Sequence, residues 1–119
     1  MIFNREEQQL MLEGNLLSRE DVKRLVANCT DATPVFLCEL YRFLDDWFND
    51  SPYLTVKTSG STGTPKQMKV LKDRMMQSAR LTCEYLGLRW GDSALLCMPL
   101  QYIAGKMVVV RALVAGLDL

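Results

Sequence analysis

The 119-residue chain contains no histidine. Histidine is the commonest metal ligand and general base in proteins, so its absence argues against a zinc enzyme or a serine hydrolase. The four cysteines, at positions 29, 38, 83 and 97, show no C-x-x-C spacing and lie among apolar residues. This pattern predicts buried free thiols in a reducing compartment.

The chain also lacks a long apolar run and a secretory leader pattern. Its most apolar stretch, residues 107–117, contains Arg111 and spans too few residues to cross a bilayer. Residues 1–7 do not show a basic segment followed by an apolar one. No basic cluster is interleaved with aromatic residues, as in many nucleic-acid-binding proteins. We therefore expect a cytoplasmic protein that binds neither nucleic acid nor a membrane, with its oligomeric state left open.

Charge is balanced overall but is unevenly distributed along the chain. The formal net charge is zero, from 14 basic and 14 acidic residues. Residues 1–56 carry five basic and ten acidic side chains, whereas residues 57–119 carry nine basic and four acidic ones. Solvated helix faces explain many such asymmetries. The positive half nevertheless has the sign that binding of an anion requires.

Two helix-start patterns lie in the first half of the chain. Ser18 with Asp21 resembles a capping box and predicts the start of a helix. Thr33 followed by Pro34 predicts a second start, with threonine as the N-cap and proline as the first helical residue. Apolar residues at helical spacing extend this second helix to about Asn49.

The second half of the chain alternates between strand and helix patterns. Residues 53–56 and 68–71 read as two strands of a β-hairpin, and residues 72–87 as a helix ended by a glycine. Residues 93–98 read as a buried strand. Residues 104–115 read as a helix that is apolar on nearly all sides.

The most distinctive stretch is Thr58-Ser-Gly-Ser-Thr-Gly-Thr-Pro-Lys66, which lies between the two predicted hairpin strands. Its glycines allow the backbone to approach a ligand closely, and successive N–H groups can form a concave anion site. The hydroxyl groups add donors, and Lys66 adds a positive charge. These properties favour the binding of a polyphosphate.

A flexible linker and a Walker A loop are two other interpretations of this stretch. Ser/Gly/Thr runs are often flexible linkers, but Pro65 stiffens the exit and the run lies directly between two strand patterns. A Walker A loop needs a glycine directly before the lysine and Ser or Thr directly after it. Here Pro65 precedes Lys66 and Gln67 follows it, so the spacing excludes that motif.

Residues 58–66 resemble the signature phosphate loop of the adenylate-forming enzymes, which are the acyl-CoA synthetases, luciferases and peptide-synthetase adenylation domains. The family pattern T-S-G-[ST]-T-G-x-P-K-G is matched except at its last position, which is Gln67 here. The later segment Met98-Pro-Leu-Gln-Tyr-Ile-Ala-Gly105 resembles the family motif P-L-x-H-x-x-G, with Tyr102 in place of histidine. The apolar residues after Gly105, ending in Arg-Ala-Leu113, look most like the o-succinylbenzoate–CoA ligases of menaquinone biosynthesis.

The resemblance implies an α/β fold in which N-terminal helices precede a β-hairpin, a helix, a strand and a helix. Residues 1–119 would form a single domain, the front part of the N-terminal AMP-binding domain. Because complete members of the family are several times longer, we expect the chain to be a fragment. The family's adenine-binding motif, its Mg²⁺-coordinating glutamate and its C-terminal catalytic lysine would all lie beyond residue 119.

The implied activity is an ATP-dependent acid–CoA ligation with a small carboxylate, ATP and coenzyme A as substrates. The residues implied to bind the ATP phosphates are Thr58, Ser59, Gly60, Ser61, Thr62, Gly63, Thr64 and Lys66. Tyr102 and Gly105 would lie at the acyl pocket. We expect no catalytic residue and no metal ligand within these 119 residues, and therefore no adenylation by this chain alone.

Two alternatives from other functional classes stay open. One is a small phosphate- or nucleotide-binding module that is not a ligase, and the other is a non-catalytic interaction protein with a mobile Ser/Gly/Thr loop. Other conspicuous residues have simpler interpretations. The methionines, Trp47 and Phe48 are expected to pack in the core. Asp45 and Asp46 are expected to be solvated, and Lys106 to be a surface charge.

Overall fold

A computed structural model of the protein describes residues 1–58, 66–96 and 100–119. The elements are β1 (Leu10–Leu12), β2 (Asn15–Leu17), α1 (Arg19–Ala27), α2 (Val35–Phe48), β3 (Tyr53–Thr58), β4 (Lys66–Leu71), α3 (Lys72–Leu86) and α4 (Ile103–Ala115). Within these described ranges, two antiparallel hairpins, β1–β2 and β3–β4, are combined with four helices. This mixture of helices and small sheets confirms the predicted α/β class.

The β1–β2 hairpin precedes the first helix and has no counterpart among the elements predicted from sequence. Its strands have three residues each and are joined by Glu13 (φ 48°) and Gly14 (φ 81°). Both turn residues therefore adopt left-handed backbone conformations, as a two-residue hairpin turn requires. Met11 also forms a parallel bridge with Asp118, which attaches the hairpin to the segment after α4.

The first predicted helix is confirmed together with its capping box. Ser18 is the N-cap of α1, and its Oγ accepts a hydrogen bond from the Asp21 N–H. The Asp21 carboxylate in turn accepts one from the Ser18 N–H at 3.0 Å. The Ser18 N–H and the Ser18 hydroxyl both donate to this carboxylate and hold its pKa below the usual value, with Arg24 contributing in the same direction.

The second helix forms, but it starts one residue later than predicted. Pro34 is its N-cap rather than its first helical residue, because its ψ of 133° is extended. Thr33 does not cap the helix either. Its hydroxyl instead accepts a hydrogen bond from the Thr30 N–H at 3.2 Å, within the preceding turn. Helix α2 thus begins at Val35 without a side-chain cap.

The hydrophobic core contains buried side chains of α2, β3, α3 and α4, and α3 packs on α4. The indole of Trp47 lies at its centre and is fully buried. Its Nε1–H donates to the Oε1 of Gln8 at 2.8 Å, and the Nε2 of Gln8 donates to the backbone oxygen of Ile2 at 2.7 Å. The N-terminal segment is therefore attached to α2 by a satisfied, buried polar contact.

The β3–β4 hairpin lies at the predicted position in the chain. Thr58 pairs with Lys66 next to the connecting loop, and Tyr53 pairs with Leu71 at the opposite end of the hairpin. Leu54 and Val56 are buried against the core. The strands extend further toward the connecting loop than the apolar pattern alone had indicated.

Helix α3 ends as predicted at Gly87, whose φ of 66° is left-handed. The strand predicted over residues 93–98 is wrong in its described part. Only Ser93 forms a bridge, to Asp118, and residues 94–96 are in no strand. With one bridge as its sheet contact, the segment lacks the continuous partner that a strand requires. Leu95 is accordingly 80% exposed instead of buried.

Candidate functional site

The two sequence motifs converge in the fold. The phosphate-loop motif connects β3 to β4, and its first and last residues, Thr58 and Lys66, are register partners. The second motif approaches the same end of the hairpin, because Tyr102 forms a parallel bridge with Lys57, the neighbour of Thr58. Residues that are more than forty positions apart in sequence therefore meet at the base of the loop.

Most of the predicted phosphate-binding residues lie outside the part of the chain that the structure describes. They are Ser59, Gly60, Ser61, Thr62, Gly63 and Thr64. The two flanking residues are described: Thr58 is the last residue of β3, and Lys66 is the first residue of β4 and is exposed.

The second motif begins helix α4. Tyr102 is the N-cap residue and half-buried, with extended backbone angles (φ −102°, ψ 155°). Gly105 lies in the first turn of the helix and is buried. The helix is apolar on nearly all sides, as predicted, and most of it is buried in the core. Tyr102 and Gly105 are thus fixed on a rigid element beside the loop base.

Lys106 is not the surface charge that the sequence suggested. It is half-buried, and its Nζ donates a hydrogen bond to the backbone oxygen of Leu100. The ammonium also lies 5.4 Å from the centre of the Phe43 ring, within cation–π range. Burial lowers the pKa of this lysine, although the carboxylates of Asp46 and Glu39 act in the opposite direction.

A cavity of about 230 Å³ opens beside Lys106, between α2, β3 and the second motif. Its lining residues are Glu39, Arg42, Phe43, Asp46, Leu54, Thr55, Leu100, Gln101 and Lys106. Asp46 is exposed and Asp45 half-buried, so the solvated state expected for the pair is confirmed for Asp46. The cavity has charges of both signs on its rim and apolar side chains beneath them.

A second lysine, Lys72, lies at the end of the hairpin opposite the loop. Its role was not predicted from the sequence. Lys72 is fully buried at the start of α3. Its Nζ donates to the backbone oxygen of Asp46 at 2.6 Å and to the Oδ1 of Asn49 at 2.8 Å. Its backbone N–H donates to the oxygen of Pro52 at 2.9 Å. The end of α2, the entry to β3 and the exit from β4 are therefore joined at one residue.

The environment of Lys72 perturbs its ionisation. Desolvation lowers its pKa to about 8, and the positive charge of Arg5 adds to this effect. Arg5 itself donates to the backbone oxygens of Trp47 and Asn49, both at 2.8 Å. Two cations thus bind the carbonyl end of α2, where the helix dipole is negative. Lysine is so rarely buried that no sequence signal could have indicated this role.

The remaining interpretations can be compared with the structure. Trp47 and Phe48 pack in the core, as predicted, and so do the neighbouring Met75 and Met76. Three cysteines are described as free thiols: Cys38 and Cys83 are buried, whereas Cys29 is half-buried. Cys97 lies outside the described residues. Nowhere in residues 1–58, 66–96 and 100–119 do three or more cysteine, aspartate or glutamate side chains form a group that could hold a metal ion.

The part of the chain that has been described contains no helix both long and apolar enough to span a membrane. Arg19 forms a salt bridge with Asp50, and Arg24 forms one with Asp21.

Comparison with known proteins gives two significant matches. The chain is similar to a 2-succinylbenzoate–CoA ligase of Enterococcus faecalis, with 42% identity over 59 residues, which are 50% of this chain and 12% of that protein. It is also similar to the crystal structure of an acyl-CoA synthetase (AMP-forming)/AMP-acid ligase II-like protein from Dyadobacter fermentans. That match has a TM-score of 0.68 and 31% identity, and it covers 81% of this chain and 27% of the other. No family model matches the chain.

The chain thus spans well under two thirds of both relatives. Its fold corresponds to a part of the AMP-acid ligase II-like structure, and 31% of the matched residues are identical. The shorter match, to a 2-succinylbenzoate–CoA ligase, is also to a ligase. Together the two matches support placing this chain in the adenylate-forming superfamily, as its phosphate-loop and P-L-x-H-x-x-G-like motifs predicted.

Proposed function

We propose that this chain supplies the ATP β,γ-phosphate site of an ATP-dependent acid–CoA ligase. The observation that carries the proposal is the convergence of the two motifs: the Thr58–Lys66 register pair closes the loop base, and Tyr102 bridges the adjacent Lys57. A phosphate loop and a candidate acyl-pocket residue then lie side by side. This is the arrangement that a reaction between ATP and a carboxylate needs, because both substrates must meet in one place.

In the proposed reaction, a carboxylate oxygen attacks the α-phosphorus of ATP, and the bond to the β-phosphate oxygen breaks. The products are an acyl-adenylate and pyrophosphate. The thiol of coenzyme A then attacks the acyl carbon, AMP leaves, and a thioester forms. Negative charge grows on the departing diphosphate in the first step. Loop N–H groups, the hydroxyls of Ser59, Ser61 and Thr62, and the ammonium of Lys66 would oppose that charge.

We propose o-succinylbenzoate as the carboxylate, which would place the reaction in menaquinone biosynthesis in the cytoplasm. The support is the similarity of 59 residues to a 2-succinylbenzoate–CoA ligase, together with the Arg-Ala-Leu113 segment of α4. Residues 1–119 would be the front part of the AMP-binding domain. The catalytic lysine and the Mg²⁺ ligand would not be among them, so the chain would bind phosphates without adenylating an acid.

Binding of pyrophosphate to the 119-residue protein tests the phosphate site. Titration calorimetry should detect binding, and Lys66→Ala should weaken it by about tenfold because a charge-assisted contact is lost. Lys69→Ala is the matched control. Lys69 is exposed on the same strand, but it lies three residues on, and side chains alternate between the faces of a strand. Equal losses in both variants, or no binding at all, would contradict the proposed phosphate site.

Pyrophosphate exchange into ATP tests the catalytic part of the proposal. With o-succinylbenzoate, ATP and Mg²⁺, the 119-residue chain should show no exchange above background. Clear turnover would contradict the proposal that the catalytic groups lie outside these residues. Tight ATP binding that Lys66→Ala abolishes and that no carboxylate influences would instead support a nucleotide-binding module of another kind.

A further inference from the structure

Lys106 follows directly after the second motif, and it contacts that motif at two points. Its backbone N–H donates to the oxygen of Tyr102 at 3.2 Å, which begins the hydrogen bonding of α4. Its side chain turns back, and Nζ donates to the oxygen of Leu100. The residues between these two acceptors are therefore held in a short turn whose shape depends on one side chain.

The same side chain connects that turn to another element. The ammonium lies over the Phe43 ring of α2 at 5.4 Å from its centre, and Phe43 itself is 5% exposed. Leu100 is equally buried, at 5% exposed. Among the described residues, no carboxylate lies within ion-pair distance of Lys106. The carbonyl oxygen and the aromatic face are thus its direct partners in that part of the chain.

From these contacts we propose that Lys106 is a positioning residue, which holds the turn at residues 100–102 against α2 and thereby fixes Tyr102 beside Lys57 at the base of the phosphate loop. The link from Tyr102 to Lys57 is the parallel bridge between the two motifs. The contribution to a ligase reaction rests on the function proposed above. The positioning itself can be measured without any ligand.

The positioning depends on the charge of the ammonium, since both the cation–π contact and the charge-assisted hydrogen bond need it. The titratable groups that face it are Glu39, Arg42 and Asp46 of α2 and Lys57 of β3. Burial favours the neutral amine, so the pKa of Lys106 is lower than that of an exposed lysine. Loss of the proton should release the turn at a lower pH than the one at which exposed lysines titrate.

Carbon-detected NMR spectra of the parent 119-residue protein provide the first test, because backbone amide protons exchange too fast with water at alkaline pH. The backbone carbonyl carbons of Gln101, Tyr102 and Lys57 should shift together as the pH is raised, with a common midpoint below 10.5, the ordinary lysine value. If these signals do not titrate, or if their midpoint is 10.5 or higher, the proposal is overturned. This test needs no substitution, so it does not depend on the folding of any variant.

Substitutions provide the second test. Lys106→Met keeps the aliphatic stem and removes the ammonium, whereas Lys106→Arg keeps a cationic donor. In the methionine variant, amide hydrogen exchange around the Lys57–Tyr102 bridge should be about tenfold faster, and in the arginine variant it should return to within about twofold of the parent. Lys23→Met, at an exposed site on α1, is the control. Unchanged exchange in Lys106→Met would show that only the stem packs there.

These outcomes are separable from those of the proposed function. A parent protein that binds no pyrophosphate would contradict the phosphate site, yet the NMR titration and the exchange rates would still report whether Lys106 holds the turn. Conversely, unchanged exchange at the Lys57–Tyr102 bridge in Lys106→Met would overturn the positioning role whether or not the parent binds pyrophosphate.

Discussion

The indole of Trp90 lies directly on the backbone of Gly116. A Cβ atom at position 116 would lie 1.8 Å from Cε3 of Trp90 and 2.3 Å from its Cζ3. The Gly116 backbone is also left-handed, with φ at 70°, and its oxygen accepts a hydrogen bond from the Gly91 N–H at 2.8 Å. The end of α4 and the turn at residues 90–91 therefore close on each other with no space for a side chain.

Gly116→Ala should consequently destabilise the protein by about 2–4 kcal/mol. About 1 kcal/mol comes from the left-handed backbone, and the remainder from the displacement of Trp90. Gly87→Ala is a matched control, since φ is also positive (66°) but a Cβ there meets nothing within 4 Å. It should lose only about 1 kcal/mol. Urea unfolding followed by far-UV circular dichroism measures both, and equal losses would show that the contact with Trp90 is unimportant.

The buried Lys72 makes stability depend on pH in the alkaline range. Its folded pKa of about 8 lies below its unfolded value of 10.5. Between these values the unfolded chain holds a proton that the folded protein has lost. The free energy of unfolding therefore rises with pH from about 8 to 10.5, by at most about 3 kcal/mol. Below pH 8 both states are protonated and this contribution to the slope vanishes.

The effect is measured as the difference between parent and Lys72→Met in urea unfolding at several pH values. The methionine variant should lack the part of the rise that Lys72 contributes, so the difference between the two proteins should change between pH 8 and 10.5. Lys23→Met, at an exposed position, should retain this part of the rise. Parallel pH profiles for the parent and Lys72→Met would contradict a lowered pKa at this site.

The capping box of α1 gives a prediction for the acid range. Ser18→Ala removes the hydroxyl that accepts from the Asp21 N–H and should lower stability by about 1 kcal/mol at pH 7. The folded pKa of Asp21 is below its unfolded value of 3.8, so its stabilising contribution is present above that pH. It is lost as the pH falls through the folded pKa. The difference in stability between the parent and Ser18→Ala should therefore be smaller in strong acid. Thermal unfolding of both proteins at pH 7 and pH 2 measures it, and an equal difference at the two pH values would contradict the prediction.

Local chemistry made some of these features accessible from the sequence. A capping box uses two residues three positions apart, so Ser18 and Asp21 predict the start of α1 without any knowledge of the fold. The alternating pattern on both sides of residues 58–66 likewise predicts the hairpin, because the period of two is a property of each strand alone. The helix end at Gly87 follows from the left-handed conformation that glycine permits.

Other features depend on contacts that sequence does not display. The N-cap of α2 was predicted at Thr33 but lies at Pro34, because the Thr33 hydroxyl accepts a hydrogen bond from the Thr30 N–H in the preceding turn. The burial of Lys72 depends on a distant acceptor, the backbone oxygen of Asp46, and that of Lys106 depends on the backbone oxygen of Leu100, whereas lysine as a residue type predicts exposure. The bridge between Lys57 and Tyr102, which unites the two motifs, is a tertiary contact and could only be observed.

The buried contact between Trp47 and Gln8 yields a final prediction. Trp47→Phe removes the Nε1 donor and leaves the Oε1 of Gln8 without it in a nearly dry site, where Gln8 is 1% exposed. We expect a loss of about 2–4 kcal/mol, from the unpaired acceptor and the smaller ring. Gln8→Met alone should cost about 1–2 kcal/mol. In the double variant neither the Oε1 of Gln8 nor the Nε1–H of Trp47 is left unpaired, so the two losses should sum to more than the measured total by about 1 kcal/mol. Urea unfolding of all four proteins gives this coupling directly, and strictly additive losses would mean that the hydrogen bond does not join the N-terminal segment to α2.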